Sequence, residues 1–114
     1  MEVKELLEII NLLNGKKQKI ESKEEYGGIR IVVLQRGWVA VGKFYQKGSK
    51  CRLENGATIR IWGTSGKAGL SYLAENGPIA DKTILDKTKM PIRFHELTVV
   101  HTYDCVESVW EKHL

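Results

Sequence analysis

The chain has 114 residues, enough for one small domain, because two domains of half that size would each lack a core. A hydrophobic fraction of 42% and a charged fraction of 28%, with two prolines and no low-complexity tract, exclude disorder, collagen and coiled coil. No apolar run approaches the ~18–20 residues of a membrane span, and the acidic, amphipathic start Met1–Gly15 lacks the basic opening of an export signal, so the sequence predicts a soluble cytoplasmic protein.

The net charge of +4 is unevenly spread. Residues 1–29 carry five Lys/Arg against six Asp/Glu, residues 30–93 twelve against four, and residues 94–114 one against four. A basic middle between acidic ends favours an anionic partner such as nucleic acid, a nucleotide or a phosphorylated metabolite, or else is a solvated surface.

The first predicted element is a helix over residues 1–15, where Val3, Leu6, Leu7, Ile10 and Leu13 recur at three- and four-residue steps before Asn14-Gly15. Lys16–Glu25 is polar and reads as a loop running into a Gly27-Gly28 turn. A β core over residues 29–105 follows. Ile29–Gln35 is β-branched, Arg36-Gly37 reads as a tight turn, and Trp38–Gln46 alternates apolar and other residues. Lys47-Gly48-Ser49 turns the chain back into Lys50–Glu54, completing a three-strand meander. Asn55-Gly56 is either a hairpin turn or a bulge before the strand Ala57–Trp62.

An insertion over residues 63–90 is expected to comprise the small, polar loop Gly63–Gly69, a short helix Leu70–Glu75 stopped by Asn76-Gly77-Pro78, and an irregular crossing Ile79–Lys89. Ile92–Phe94 and Leu97–Cys105 return to β pattern, and Val106, Val109, Trp110 and His113 mark one side of a terminal helix over residues 106–113. The fold class read from this order is α+β: a small curved antiparallel sheet or partly open barrel with an N-terminal helix, a helical insertion and a short C-terminal helix.

The residues best suited to binding cluster around Gly63–Gly69. Glycines with Thr64, Ser65 and Lys67 ahead of a helix supply freed backbone N–H groups and a cation, an anion cradle or simply a Gly-rich turn. It is no Walker A loop, because Ala68 follows Gly66-Lys67 where a magnesium-binding Ser/Thr belongs. Arg60 and Trp62 are two apart on one strand and so share a face, a guanidinium for phosphate beside an indole for stacking. Arg36 and Trp38 form a second such pair, and Thr83 and His95 are further polar candidates. Packing or subunit contact is the alternative role for each tryptophan.

Catalytic patterns are weak. His95 and His101 are followed by Glu96 and Thr102, not by the His-x-Thr/Ser repeat of two-histidine phosphoesterases, and Asp81 and Asp86 lack a metal-ligand spacing. Cys51 and Cys105 have no zinc-ligand partners and read as buried thiols. The expectation is a binding protein, not an enzyme, with no catalytic residue, cofactor or metal.

Three resemblances refine this. Gly37-Trp38-Val39-Ala40-Val41-Gly42-Lys43-Phe44 with Cys51-Arg52-Leu53-Glu54-Asn55-Gly56-Ala57 looks like the second and third strands of Sm-like barrels, which implies an Sm/SH3-like sheet and single-stranded nucleic-acid binding. Gly37-Trp38, Ile59-Arg60, Trp62-Gly63-Thr64, Gly69-Leu70, Gly77-Pro78, Thr83, Leu85-Asp86, His95, Leu97 and Val99-Val100 together resemble a group of small phage and prophage proteins. That resemblance implies phage origin and residence in the cytoplasm of a bacterial host. In size and charge the chain is also similar to phage anti-defence sponges, which sequester cyclic oligonucleotides or cyclic ADP-ribose-type signals such as those of Thoeris. The implied site is Arg60, Trp62, Thr64, Ser65, Gly66 and Lys67 with Arg36, Trp38, Thr83 and His95, in a homo-oligomer whose partner is a nucleotide-derived small molecule. A single-stranded nucleic-acid binder and a virion or assembly component are the other readings.

Overall fold

Residues 23–114 are described by the computed structural model, and the helix expected over residues 1–15 lies outside them. The meander forms from β1 (Glu24–Leu34), β2 (Val39–Lys47) and β3 (Lys50–Ile61). It continues through helix α1 (Leu70–Asn76), β4 (Ile84–Lys87), β5 (Ile92–His95), β6 (Val99–Asp104) and helix α2 (Glu107–Trp110). The sheet order is β4-β3-β2-β1-β6, with β5 also on β3, and every pairing is antiparallel.

Three sequence expectations need correction. β1 begins at Glu24, and Gly27-Gly28 is a bulge within it: Tyr26 faces Tyr45 and Ile29 faces Lys43, three residues against two. Glu24 and Glu25, polar enough to suggest a loop, are held by pairing with Lys47 and Gln46. The crossing Ile79–Lys89 contains a strand, β4, whose Leu85 sits opposite Ile59. β4 and β5 run in succession along one edge of β3, interrupted where the Thr88 N–H donates to the Gly56 carbonyl at 3.0 Å. Leu97 is not in β6, because Glu96–Thr98 is a 3-10 turn that delivers the chain to Val99.

Asn55-Gly56 is a bulge. Val41 pairs with Ala57 and Lys43 with Glu54, so two residues of β2 oppose three of β3, and Asn55 takes φ 50°. The extra residue exchanges the faces of β3: Cys51 and Leu53 point into one core, Ala57 and Ile59 into the other.

The first core joins Ile29, Ile31, Val39, Val41, Ala57 and Ile59 to Leu70, Leu73 and Ala74 of α1 and Trp110 of α2. Trp110 is fully buried, and its Nε1–H donates to the Leu73 and Ala74 carbonyls at 2.9 and 3.2 Å, so its one polar group is satisfied. Gly77, at φ 81°, closes α1 with an N–H donated to the Leu73 carbonyl at 2.8 Å.

The second core holds Val32, Ala40, Phe44, Cys51 and Leu53, packed by Leu34, Ile92, Phe94 and Val99. Val99 belongs to β6 at one end of the strand order, and Ile92 and Phe94 to β5 on the far side of β3. The second core therefore runs across one face of the sheet from β6 to β5. The described part of the chain is thus a curved six-stranded antiparallel sheet with two short helices on one face, a small α+β fold.

Candidate functional site

The loop after β3 folds tightly. The Lys67 N–H donates to the Thr64 carbonyl at 2.8 Å across a turn with Gly66 at φ 77°, and Thr64 is buried. Gly63, at φ 71°, lies so close to the Lys82 backbone that a Cβ there would stand 2.5 Å from the Lys82 carbonyl carbon. Thr83 holds this approach: its Oγ1 accepts the Ile79 N–H at 2.8 Å and donates to the Trp62 carbonyl at 2.7 Å. The Thr83 hydroxyl is therefore engaged in tying the loop to the crossing.

Other residues of the sequence-derived site have partners within the fold. Arg60 Nε lies 3.1 Å from Asp86 Oδ2, with both side chains exposed. Trp62 is 42% exposed and passes Gly69, and the Lys67 ammonium sits 5.1 Å from the centre of the Tyr72 ring. Arg36 occupies φ 67° in the β1–β2 turn, which the Leu34 N–H closes by donating to the Trp38 carbonyl at 2.7 Å, leaving the Trp38 side chain exposed. The His95 Nδ1 accepts the Leu97 N–H at 3.1 Å, fixing the 3-10 turn. Ser65 and Gly66 are exposed at the tip of the loop.

A second concentration of binding groups lies at the opposite end of β3, where sequence reading placed no site. Tyr26 pairs with Tyr45, Tyr45 with Arg52, and Arg52 with Arg93, giving one row across β1, β2, β3 and β5. One step nearer the β2–β3 turn, Glu24, Lys47, Lys50 and His95 form the next row. Six of these residues, Glu24, Tyr45, Lys47, Lys50, Arg52 and Arg93, line a groove of about 630 Å³ with the Gly48-Ser49 turn at its end. That volume lies within the ~300–1,000 Å³ of small-ligand sites.

Arg52 is held in place. Its guanidinium lies 4.2 Å from the centre of the Tyr45 ring, its Nε is 3.0 Å from Glu54 Oε1, and its Nη1 bonds the Glu24 carboxylate. Two of its five N–H groups are engaged by these bonds, and the others meet no partner among the described residues, so they can face an incoming oxyanion from a fixed plane. Behind Tyr45, the Tyr26 ring stands 4.9 Å away, and its hydroxyl donates to Glu107 Oε1 of α2 at 2.8 Å. Partial burial and the Glu107 carboxylate push Tyr26 up to about 12.

Cys51 borders the groove between Lys50 and Arg52, but its side chain points into the second core, where burial raises its thiol. Cys105 is half-buried and pushed up to about 12 by burial, far from the low range of a nucleophilic thiolate. Among the described residues no group of three or more His, Cys, Asp and Glu side chains converges as a metal site would require. The arrangement offers fixed and mobile cations beside aromatic rings, which is chemistry for holding a phosphate-bearing ligand.

The signal for this groove was present only in part. Tyr45, Lys47, Lys50 and Arg52 are close in sequence, but Arg93 comes from a strand some forty residues on and arrives through the β3–β5 register. No family model, curated protein or solved structure matches the chain.

Proposed function

We propose that the protein captures a nucleotide-derived anion, of the cyclic ADP-ribose or cyclic oligonucleotide type, and holds it without cleaving it, as a phage anti-defence sponge does. The observation that carries this reading is the groove lined by Lys47, Lys50, Arg52 and Arg93 together with Tyr45, against whose ring Arg52 is stacked. Cations answer the phosphates and aromatic and guanidinium planes answer a base, while sequestration needs affinity and copy number with no turnover. The proposal moves the principal site from the Trp62–Gly69 loop to the β2–β3 hairpin, and leaves Arg60, Trp62 and Lys67 as a secondary surface.

A second core that runs from β6 to β5 on one face of the curved sheet, and the 3-10 turn between β5 and β6, favour the partly open Sm/SH3-like barrel as the finer description of the fold. Self-association belongs to the same proposal, since a second subunit would enclose a ligand lying in an open groove. Light scattering at micromolar concentration tests it: a dimer or larger species agrees, and a monomer counts against it.

One observation favours single-stranded nucleic acid as a second reading: the row Tyr26, Tyr45, Arg52, Arg93 crosses the sheet as an uninterrupted aromatic and cationic strip. A capture assay separates the two. Purified protein is mixed with cyclic ADP-ribose, cyclic di-AMP or a short RNA, the protein is removed by filtration, and retained material is released by heat and identified. Intact cyclic nucleotide recovered from wild type and lost with Arg52→Ala supports the sponge. Cleaved nucleotide contradicts it, and retention of RNA alone, falling steeply with salt, assigns the strip to a strand.

A further inference from the structure

The two cationic rows of the groove say more about the ligand than that it is anionic, an inference that rests on the nucleotide reading above. Arg52 and Arg93 occupy one row, and Lys47 and Lys50 the next, on the same face of the same strands. Adjacent rows on one face are two residues apart, about 7 Å at ~3.4 Å per residue. Arg52 cannot swing across to close that gap, because it is anchored by the Tyr45 ring, Glu54 and Glu24. Four cationic side chains line the groove, and Glu24 and Glu54 are both engaged by Arg52, so two positive charges remain in excess among these residues and a ligand with one negative charge leaves part of the field unanswered.

We infer that the groove takes a ligand with two phosphodiesters set one nucleoside apart, a cyclic dinucleotide, in preference to a cyclic mononucleotide or a pyrophosphate-bridged nucleotide. The two phosphorus atoms of a pyrophosphate share one oxygen and fall together on a single row. The phosphodiesters of a dinucleotide are separated by a whole sugar and reach both. One phosphodiester accepts from the remaining Arg52 N–H groups and Arg93, and the other from Lys47 and Lys50. Glu24 pairs with Lys47 in register and bonds Arg52, so its carboxylate stands between the rows and keeps the Arg52 plane fixed while the ligand binds. The turn at Gly48-Ser49 ends the groove beside the lysine row, which suits a compact ligand better than a continuing strand.

Calorimetric titration of the full chain with cyclic di-AMP, cyclic AMP, ADP-ribose and a six-nucleotide single-stranded RNA at physiological salt tests this. Cyclic di-AMP is expected to bind at least about tenfold more tightly than the other three, and Lys47→Ala/Lys50→Ala should remove about that factor, bringing cyclic di-AMP down to the level of cyclic AMP. Both lysines are surface residues, and an unchanged circular dichroism spectrum establishes that the double variant is folded. ADP-ribose or cyclic AMP binding as tightly as cyclic di-AMP overturns the two-row inference while leaving nucleotide capture in place. Tighter binding of the RNA overturns it in favour of a strand. Failure of all four ligands to bind overturns the inference, and failure of cyclic ADP-ribose in the same titration overturns the function on which it rests as well.

Discussion

Arg52 and Arg93 stand directly opposite one another across the β3–β5 ladder. Like charges in that position repel and work against the pairing. Arg52 is compensated by Glu24 and Glu54, whereas Arg93 turns into the groove beside Lys47 and Lys50, themselves paired across the β2–β3 turn. Retaining two repelling pairs on one face is a local conflict of the kind that ligand sites tolerate.

Arg93→Gln should therefore separate stability from binding. Removing one of two facing charges is expected to raise unfolding stability by a few tenths to about 1 kcal/mol, while nucleotide affinity falls several-fold. Urea unfolding and calorimetric titration of the same preparation measure the two. A destabilised variant with unchanged affinity would falsify the assignment of Arg93 to the site.

Gly63 and Gly66 share a left-handed backbone but differ in surroundings. A Cβ on Gly66 meets nothing within 4 Å, so Gly66→Ala should cost only the backbone penalty of about 1–2 kcal/mol. At Gly63 the same atom collides with the Lys82–Thr83 backbone, and Gly63→Ala should cost clearly more and break the Thr83 bond to the Trp62 carbonyl. Equal unfolding midpoints for the two variants would mean that the close approach contributes nothing.

Much of this architecture was legible in the sequence. The alternating apolar residues of β2 and of the two halves of β3 announced the meander, and Gly77 after Leu70–Asn76 marked the end of α1. What escaped were features decided by partners. Glu24–Gly28 is too polar and glycine-rich to read as strand, and β4 has only Ile84 and Leu85 to announce it, so both are defined by the strands beside them. For the same reason the charge excess of residues 30–93 was visible while its convergence at Arg52 and Arg93 was not. Arg60 and Trp62 are both exposed, and the pairing of Arg60 with Asp86 was not readable because it depends on the β3–β4 register.

Trp110 joins α2 to α1 and to the first core. Trp110→Ala should destabilise the fold by about 3–5 kcal/mol, and Trp110→Phe, which keeps most of the volume and loses the Nε1–H bonds to Leu73 and Ala74, by about 1–3 kcal/mol. Denaturant titration ranks them, and a fully stable Trp110→Ala protein would show that α2 is dispensable to the core.

Burial, with Lys112 and Lys87 nearby, holds His113 below its ordinary value. The unfolded chain then binds the proton more readily than the folded one. The contribution of His113 is present above the ordinary value of about 6.5 and is lost as pH falls through it toward the lowered folded value. Thermal unfolding between pH 7.5 and 5 should show stability declining with acidification, and His113→Asn should flatten part of that decline, as checked at about half-unit pH steps. An identical slope in the variant contradicts the shift.

The most direct test of the central claim is to map ligand-induced shifts of backbone amide resonances with cyclic di-AMP added to the full chain. Binding at the β2–β3 groove predicts that the perturbed amides are those of Tyr45–Arg52 and Ile92–His95. Perturbation confined to Trp62–Gly69, or no perturbation at saturating ligand, would contradict it.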